Sequence, residues 1–170
     1  MNAIVYTSNT GYTAQYARLL SKQTGLPAHS LDEAEKVLPA NSAVLYLGWL
    51  MAGSVQGYRR AKKRFRVQAV VGVGMGGTGS QLAEVKKAND LPETMPVFTV
   101  QGGFDLKRLR GMYRFMMKTM AGTLGKRLAE KTNRTPDEDT MLDLLLHGGS
   151  YVSLENLSEV LDWFRTVQRG

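Results

Sequence analysis

Within the stretch "TSNTGYT", Thr7, Ser8, Thr10 and Thr13 bring four hydroxyls together with Asn9, Gly11 and Tyr12, and no charged residue lies among them. It falls where the apolar run "NAIVY" gives way to a helical pattern. That combination is the chemistry of an anion cradle. The first amides of a helix lack intrahelical acceptors and sit at the positive end of the helix dipole. Serine and threonine hydroxyls add donors, so a phosphate dianion can be held there with no lysine at all. The plainer alternative is a set of helix caps and turns, which the same residue types also make.

Two further stretches have the composition of ligand loops. In "GWLMAGS", Gly48 and Gly53 permit close backbone approach, and Trp49, followed by Leu50, Met51 and Ala52, offers a flat surface to a planar ring. Otherwise Trp49 covers an edge of the core. In "GMGGTGS", the glycines at Gly74, Gly76 and Gly77, beside Met75 and Thr78, again let backbone come near a ligand. Gly72, Gly74 and Gly77 also spell G-x-G-x-x-G, but mid-chain, and the strand that follows reaches no acid until Asp105. A dinucleotide fingerprint opens the first βαβ unit and needs that acid, so this match is discounted. No glycine loop runs into Gly-Lys-Ser or Gly-Lys-Thr, which weighs against a P-loop.

These stretches must be positioned by the elements around them. "NAIVYT", "SAVLYLG", "QAVVGVG" and "MPVFTVQG" are short aliphatic runs suited to strands buried on both faces, and "LPAHS" reads as a short edge strand. Helical patterns alternate with them, beginning at Gly11–Lys22. Five parallel strands with helices on both faces follow, in a single domain over 1–170 with an extra helical insertion at about 105–148. Thr135, Pro136 and Glu138 form a capping-box start, with His147-Gly148-Gly149 as the stop. Ser153 is expected to cap a last helix that buries Leu154, Leu157, Leu161 and Phe164.

The chain has no cysteine and only His29 and His147, which leaves no thiolate chemistry and no histidine-rich metal cluster. No apolar run approaches the roughly 20 residues of a membrane-spanning helix, and the N-terminus does not resemble a signal peptide. The expected compartment is the cytoplasm. Net charge is +7, and it is localised: Arg59–Arg134 holds 17 Lys+Arg against 5 Asp+Glu, and the rest 5 against 10. Such a region calls for an anionic partner. Nucleic acid is disfavoured, because aromatics are not interleaved through the charge runs as stacking platforms.

Part of that charge lies in "FDLKRLRGMYRFMMKTMAGTLGKR". Leu109, Met112, Tyr113, Met116, Met117 and Met120 recur at helical spacing, and Lys107, Arg110, Arg114 and Lys118 recur on another face. Three readings stand: peripheral membrane contact through 107–120, a wall beside a pocket for an acidic or hydrophobic small molecule, or a helix packing its stripe on the core. The run "YRRAKKRFR" is a second basic segment.

The first-strand motif resembles the phosphate loop of the flavodoxin family, which runs Ser/Thr, any residue, Ser/Thr, Gly, Asn/Thr, Ser/Thr; here Tyr12 stands where Asn or Thr is usual. The resemblance implies a flavodoxin-like three-layer sandwich with strand order 2-1-3-4-5, and FMN as cofactor. Ser8, Asn9, Thr10, Gly11, Tyr12 and Thr13 would wrap its phosphate, with Thr7 at the end of the strand. Gly48, Trp49, Leu50, Met51, Ala52 and Gly53, with Gly74, Met75, Gly76, Gly77 and Thr78, would flank its ring. "YRFMMK" and "YVSLEN" are similar to stretches of the menaquinone-dependent protoporphyrinogen oxidase branch. That branch implies an FMN-dependent oxidoreductase passing electrons between a reduced substrate and a quinone-type acceptor. No residue stands out as a catalytic acid or base. The alternatives are a flavodoxin-type electron carrier meeting a protein redox partner without small-molecule turnover, and a basic adaptor that has lost FMN.

Overall fold

A computed structural model describes residues 1–105, 107 and 111–169. The strands form where aliphatic residues alternate between two buried faces. They are β1 (Ala3–Thr7), β2 (Ala28–Ser30), β3 (Ala43–Met51), β4 (Ser54–Val55), β5 (Arg66–Gly74), β6 (Val97–Gln101), β7 (Gly103–Phe104) and β8 (Gly149–Ser150). Between and after them run α1 (Tyr12–Thr24), α2 (Leu31–Val37), α3 (Tyr58–Arg64), α4 (Leu82–Ala88), α5 (Gly111–Glu130), α6 (Pro136–His147) and α7 (Ser158–Arg169).

The main sheet is ordered β2-β1-β3-β5-β6, and each neighbouring pair is parallel. Counting these five alone, the order is the expected 2-1-3-4-5. On one face Ile4, Leu45, Leu47 and Val71 pack with Tyr16, Ala17 and Leu20 of α1 and Val160 and Leu161 of α7. On the other, Val5, Val44, Tyr46 and Val70 pack with α2, α3 and α4 through Ala34, Ala61 and Val85. Adjacent strand residues thus serve opposite layers, as a doubly covered parallel sheet requires. The protein is an α/β three-layer sandwich of flavodoxin-like form.

The strand count differs from expectation in two places. β4 pairs antiparallel with the end of β3, making the sheet six-stranded, and β7 pairs antiparallel with β8 in a separate ribbon. That ribbon closes the base of the insertion, whose helices α5 and α6 bury Phe104 and Leu144 with Met117, Ala121 and Leu145 against them. Leu109 and Arg110 of the expected stripes, and the side chain of Tyr113, lie outside the described residues.

The C-terminal helix also begins differently. Ser153 Oγ accepts from the Asn156 amide at 3.3 Å, which opens a 3₁₀ turn over Glu155–Leu157 before α7 starts at Ser158. The tighter turn leaves Leu154 exposed while Leu157, Leu161 and Phe164 are buried. No described helix is long and apolar enough to cross a membrane.

The capping box of α6 is present: Thr135 Oγ1 accepts from the Glu138 amide, and Glu138 accepts from the Thr135 amide. Lys131 Nζ also reaches the Glu138 carboxylate at 2.6 Å. The ammonium first, and the Thr135 amide second, hold the Glu138 pKa below its ordinary value. A depressed carboxyl stabilises the fold above its unfolded pKa of about 4.3, and that contribution disappears as pH falls through the folded value. The wild type should therefore melt above Glu138→Gln at neutral pH, with the gap closing below about pH 4, a comparison that paired thermal melts across pH will check.

Candidate cofactor cleft

At the carboxyl end of β1 the chain turns into α1 through Gly11, whose φ of 95° lies in the left-handed region. Nothing lies within 4 Å of a Cβ built there, so the glycine is needed for conformation and not for space. No side chain caps α1, and the amides of its first turn lack intrahelical acceptors. Ser8 Oγ accepts the Gly11 amide at 3.2 Å, folding the loop on itself. Asn9 Nδ2 is buried with no hydrogen-bond partner. A buried donor left unmade costs about 1–3 kcal/mol, so this amide marks the place where an acceptor belongs.

Two of the seven loop residues serve the scaffold. Tyr46 OH donates to Gln56 O at 2.8 Å, so its 2.8 Å bond with Thr7 Oγ1 must use the threonine proton. Thr7 thus braces β1 against β3 and does not line the cleft. Burial pushes the Tyr46 hydroxyl far above its ordinary pKa, which keeps that donor intact at any physiological pH. Tyr12 turns its ring beneath the β7–β8 ribbon, where its hydroxyl donates to Gly149 O at 3.0 Å. A Cβ on Gly103 would lie 2.7 Å from the Tyr12 Cζ. The residue that departs from the family motif is therefore the one that joins the loop to the insertion.

The second stretch, expected as a strand-end loop from Gly48 to Ser54, is mostly strand. β3 continues to Met51, and Ala52 (φ 48°) and Gly53 (φ 75°) make a tight turn into β4. A Cβ on Gly48 would fall 2.6 Å from both Gln56 O and Val55 Cγ1, so this glycine admits β4 and not a ligand. Trp49, Leu50, Met51, Ala52 and Gly53 do line the cleft, and Leu50 lies across Gly72 and Gly74 of β5. From the third stretch, Gly74, Met75 and Gly76 line it. Gly77 faces Asp137 of α6, and Thr78 Oγ1 accepts from the Gln101 amide at 3.1 Å.

The cleft so formed holds about 190 Å³. Asn9, Thr10, Tyr12 and Thr13 stand at one end, Trp49 and Met75 along its length, and Phe104, Met117, Met120 and Met141 of the insertion close over it. Glu84 and Asp105 are the charged residues of the described lining; no lysine or arginine contributes. Of the expected site residues, Thr7, Ser8, Gly11, Gly48, Gly77 and Thr78 stand outside this lining. Gln81, Glu84, Phe104, Asp105 and Met141 enter it without any local motif to announce them. Met117 and Met120 carried a signal, in the methionine spacing of α5.

Two of the six basic residues of the second run, Arg60 and Arg64, serve the scaffold. The run forms α3, where Arg60 pairs with Glu35 and, at 2.7 Å, with Asp32 of α2, while Arg64 donates to Leu38 O at 3.3 Å. Among the described residues no three His, Asp or Glu side chains are grouped to hold a metal.

Tested against FMN, the donor set fits. An unmet amide donor, a neighbouring hydroxyl and the positive end of a helix with no side-chain cap suit a phosphate, and the Trp49–methionine walls suit an apolar ring. No protein-family model, no curated protein and no solved structure matches the chain.

Proposed function

We propose that the protein binds FMN in this cleft and acts as a flavodoxin-like oxidoreductase, passing electrons from a reduced substrate to an acceptor of the quinone type, in the cytoplasm. The observation that carries the reading is the unpartnered, buried Asn9 amide, in a charge-free loop that lines an apolar cleft and leads into a helix with no side-chain cap. FMN, when bound, supplies the electron-accepting ring. The chain's own residues do the rest. Asn9, Thr10 and the first amides of α1 hold and orient the phosphate. Trp49 and Met75 restrict the ring, and Phe104 with the three methionines keeps water from it. Glu84 adds negative charge to the lining, which disfavours placing further negative charge there on reduction.

Titration of the protein with FMN, followed by flavin fluorescence and visible absorbance, tests this. Saturable one-to-one binding is expected, with riboflavin binding more weakly because it lacks the phosphate. A chain that takes up neither flavin would refute the reading. Turnover of a quinone with a chemical reductant by the loaded protein then separates an enzyme from a carrier that exchanges electrons with proteins alone.

A further inference from the structure

α5 presents two faces. Met117 and Ala121 turn inward against Phe104 and Leu144, and Leu128 on the same side is buried to 6% exposure. On the far side of the helix Met112 is 83% exposed and Phe115 75%, while Met120, between the two sides, borders the cleft and is 44% exposed. The methionine stripe of the sequence is thus split: Met117 turns inward, and Met112 stands exposed beside Phe115 with no described element over them. Arg114, Lys118, Lys126 and Arg127 are exposed on the same helix and make no ion pair among the described residues. Arg60, Lys86, Lys131, Arg134 and Arg165 have carboxylate partners. Arg59, Lys62, Lys63 and Arg66 on and beside α3 are exposed without one among the described residues, but no exposed large apolar side chain lies among them.

We propose that this outward face of α5 docks on an anionic membrane surface, with Met112 and Phe115 entering the headgroup boundary and the unpaired cations meeting lipid phosphates. Protruding apolar side chains flanked by free basic ones are what an interfacial helix uses, each supplying one of the two required attractions. A second copy is the poorer occupant, because an isologous contact would set the same unpaired cations against one another. The inference does not depend on which cofactor the cleft holds. Its geometry has a consequence for that cleft all the same: Met117 and Met120 belong to the docked helix, so the opening they border would lie beside the bilayer.

Flotation of the full chain with vesicles tests the proposal. Binding is expected to mixed phosphatidylcholine–phosphatidylglycerol vesicles and not to phosphatidylcholine alone, and it should weaken as salt is raised. Met112→Ser with Phe115→Ser, and separately Arg114→Gln with Lys118→Gln, should each lower the partition coefficient by about tenfold or more. Both pairs are solvent-exposed, so circular dichroism and the melting midpoint should stay at wild-type values. Failure of the wild type to float with anionic vesicles would overturn the proposal, as would undiminished flotation of the Met112–Phe115 variant. Two other results would overturn it by naming another occupant. One is a wild-type dimer that this variant renders monomeric; the other is retention on polyglutamate that matches retention on vesicles and depends on the same apolar pair.

Discussion

An Asn9→Asp variant should bind FMN about a hundredfold more weakly, while its affinity for riboflavin changes by no more than about twofold. The substitution preserves the shape of the side chain and replaces its buried donor by a carboxylate. A phosphate at the start of α1 would then lose one charge-assisted hydrogen bond, worth about 1.5–3 kcal/mol, and face a like charge where water screens little. Riboflavin brings no phosphate to that end of the cleft. The comparison of the two ligands therefore isolates the loop from the ring site, which a loss of FMN alone would not do. Equal weakening of both flavins would mean that the variant disturbs the whole cleft; no weakening would move the phosphate elsewhere. Thr10→Ala should show the same selectivity, by roughly 1.5–3 kcal/mol.

The second large effect is expected at Gly103. A Cβ there would collide with Gly149 O across the β7–β8 ribbon and lie 2.7–2.8 Å from the ring of Tyr12. Neither neighbour is the loose end of a flexible chain: one is backbone, and the other is a ring held at its hydroxyl by Gly149. Gly103→Ala should destabilise the fold by about 2–3 kcal/mol as overpacking does. In a chain of this length that lowers the melting midpoint by roughly 5–10 °C. The loss should be concentrated in the insertion, so limited proteolysis is expected to cut within 105–148 first. Gly122→Ala is the control. It lies in the interior of α5 with nothing within 4 Å of the added methyl, and it should stabilise by about 0.5–1 kcal/mol.

Much of the sheet could be read without coordinates, because runs such as "AVLYL" and "VVGV" have no polar residue to offer to solvent and must lie between two layers. The edges were harder. β4 is two residues long, and Gly48, which makes room for it, has the same appearance in sequence as a glycine that makes room for a ligand. Read from the sequence alone, β3 therefore ends at Gly48 and Trp49 to Met51 fall in a loop. Tyr12 could not be understood locally, since the group it bonds lies 137 positions away. On α5, helical periodicity admits Met112–Met116–Met120 and Met117–Ala121–Leu128 as neighbouring apolar rows. Choosing which row turns inward needs Phe104 and Leu144, and neither is near in sequence. The end of the cleft lined by Asn9, Thr10, Tyr12 and Thr13 is its most legible part, because neighbouring residues supply it. The methionine cover is the least, because three separate segments supply it.

The β7–β8 ribbon brings the points where the chain leaves and rejoins the sandwich side by side, with Gly103 opposite Ser150 and Phe104 opposite Gly149. Whatever lies between them closes on itself before the main sheet is concerned. Lengthening such an excursion costs only about 0.6 kcal/mol for each doubling. The roof of the cleft can therefore be lengthened, shortened or exchanged while its floor keeps its register. On this architecture, the same floor can be fitted with different roofs, and substrate choice can diverge without refolding the site beneath.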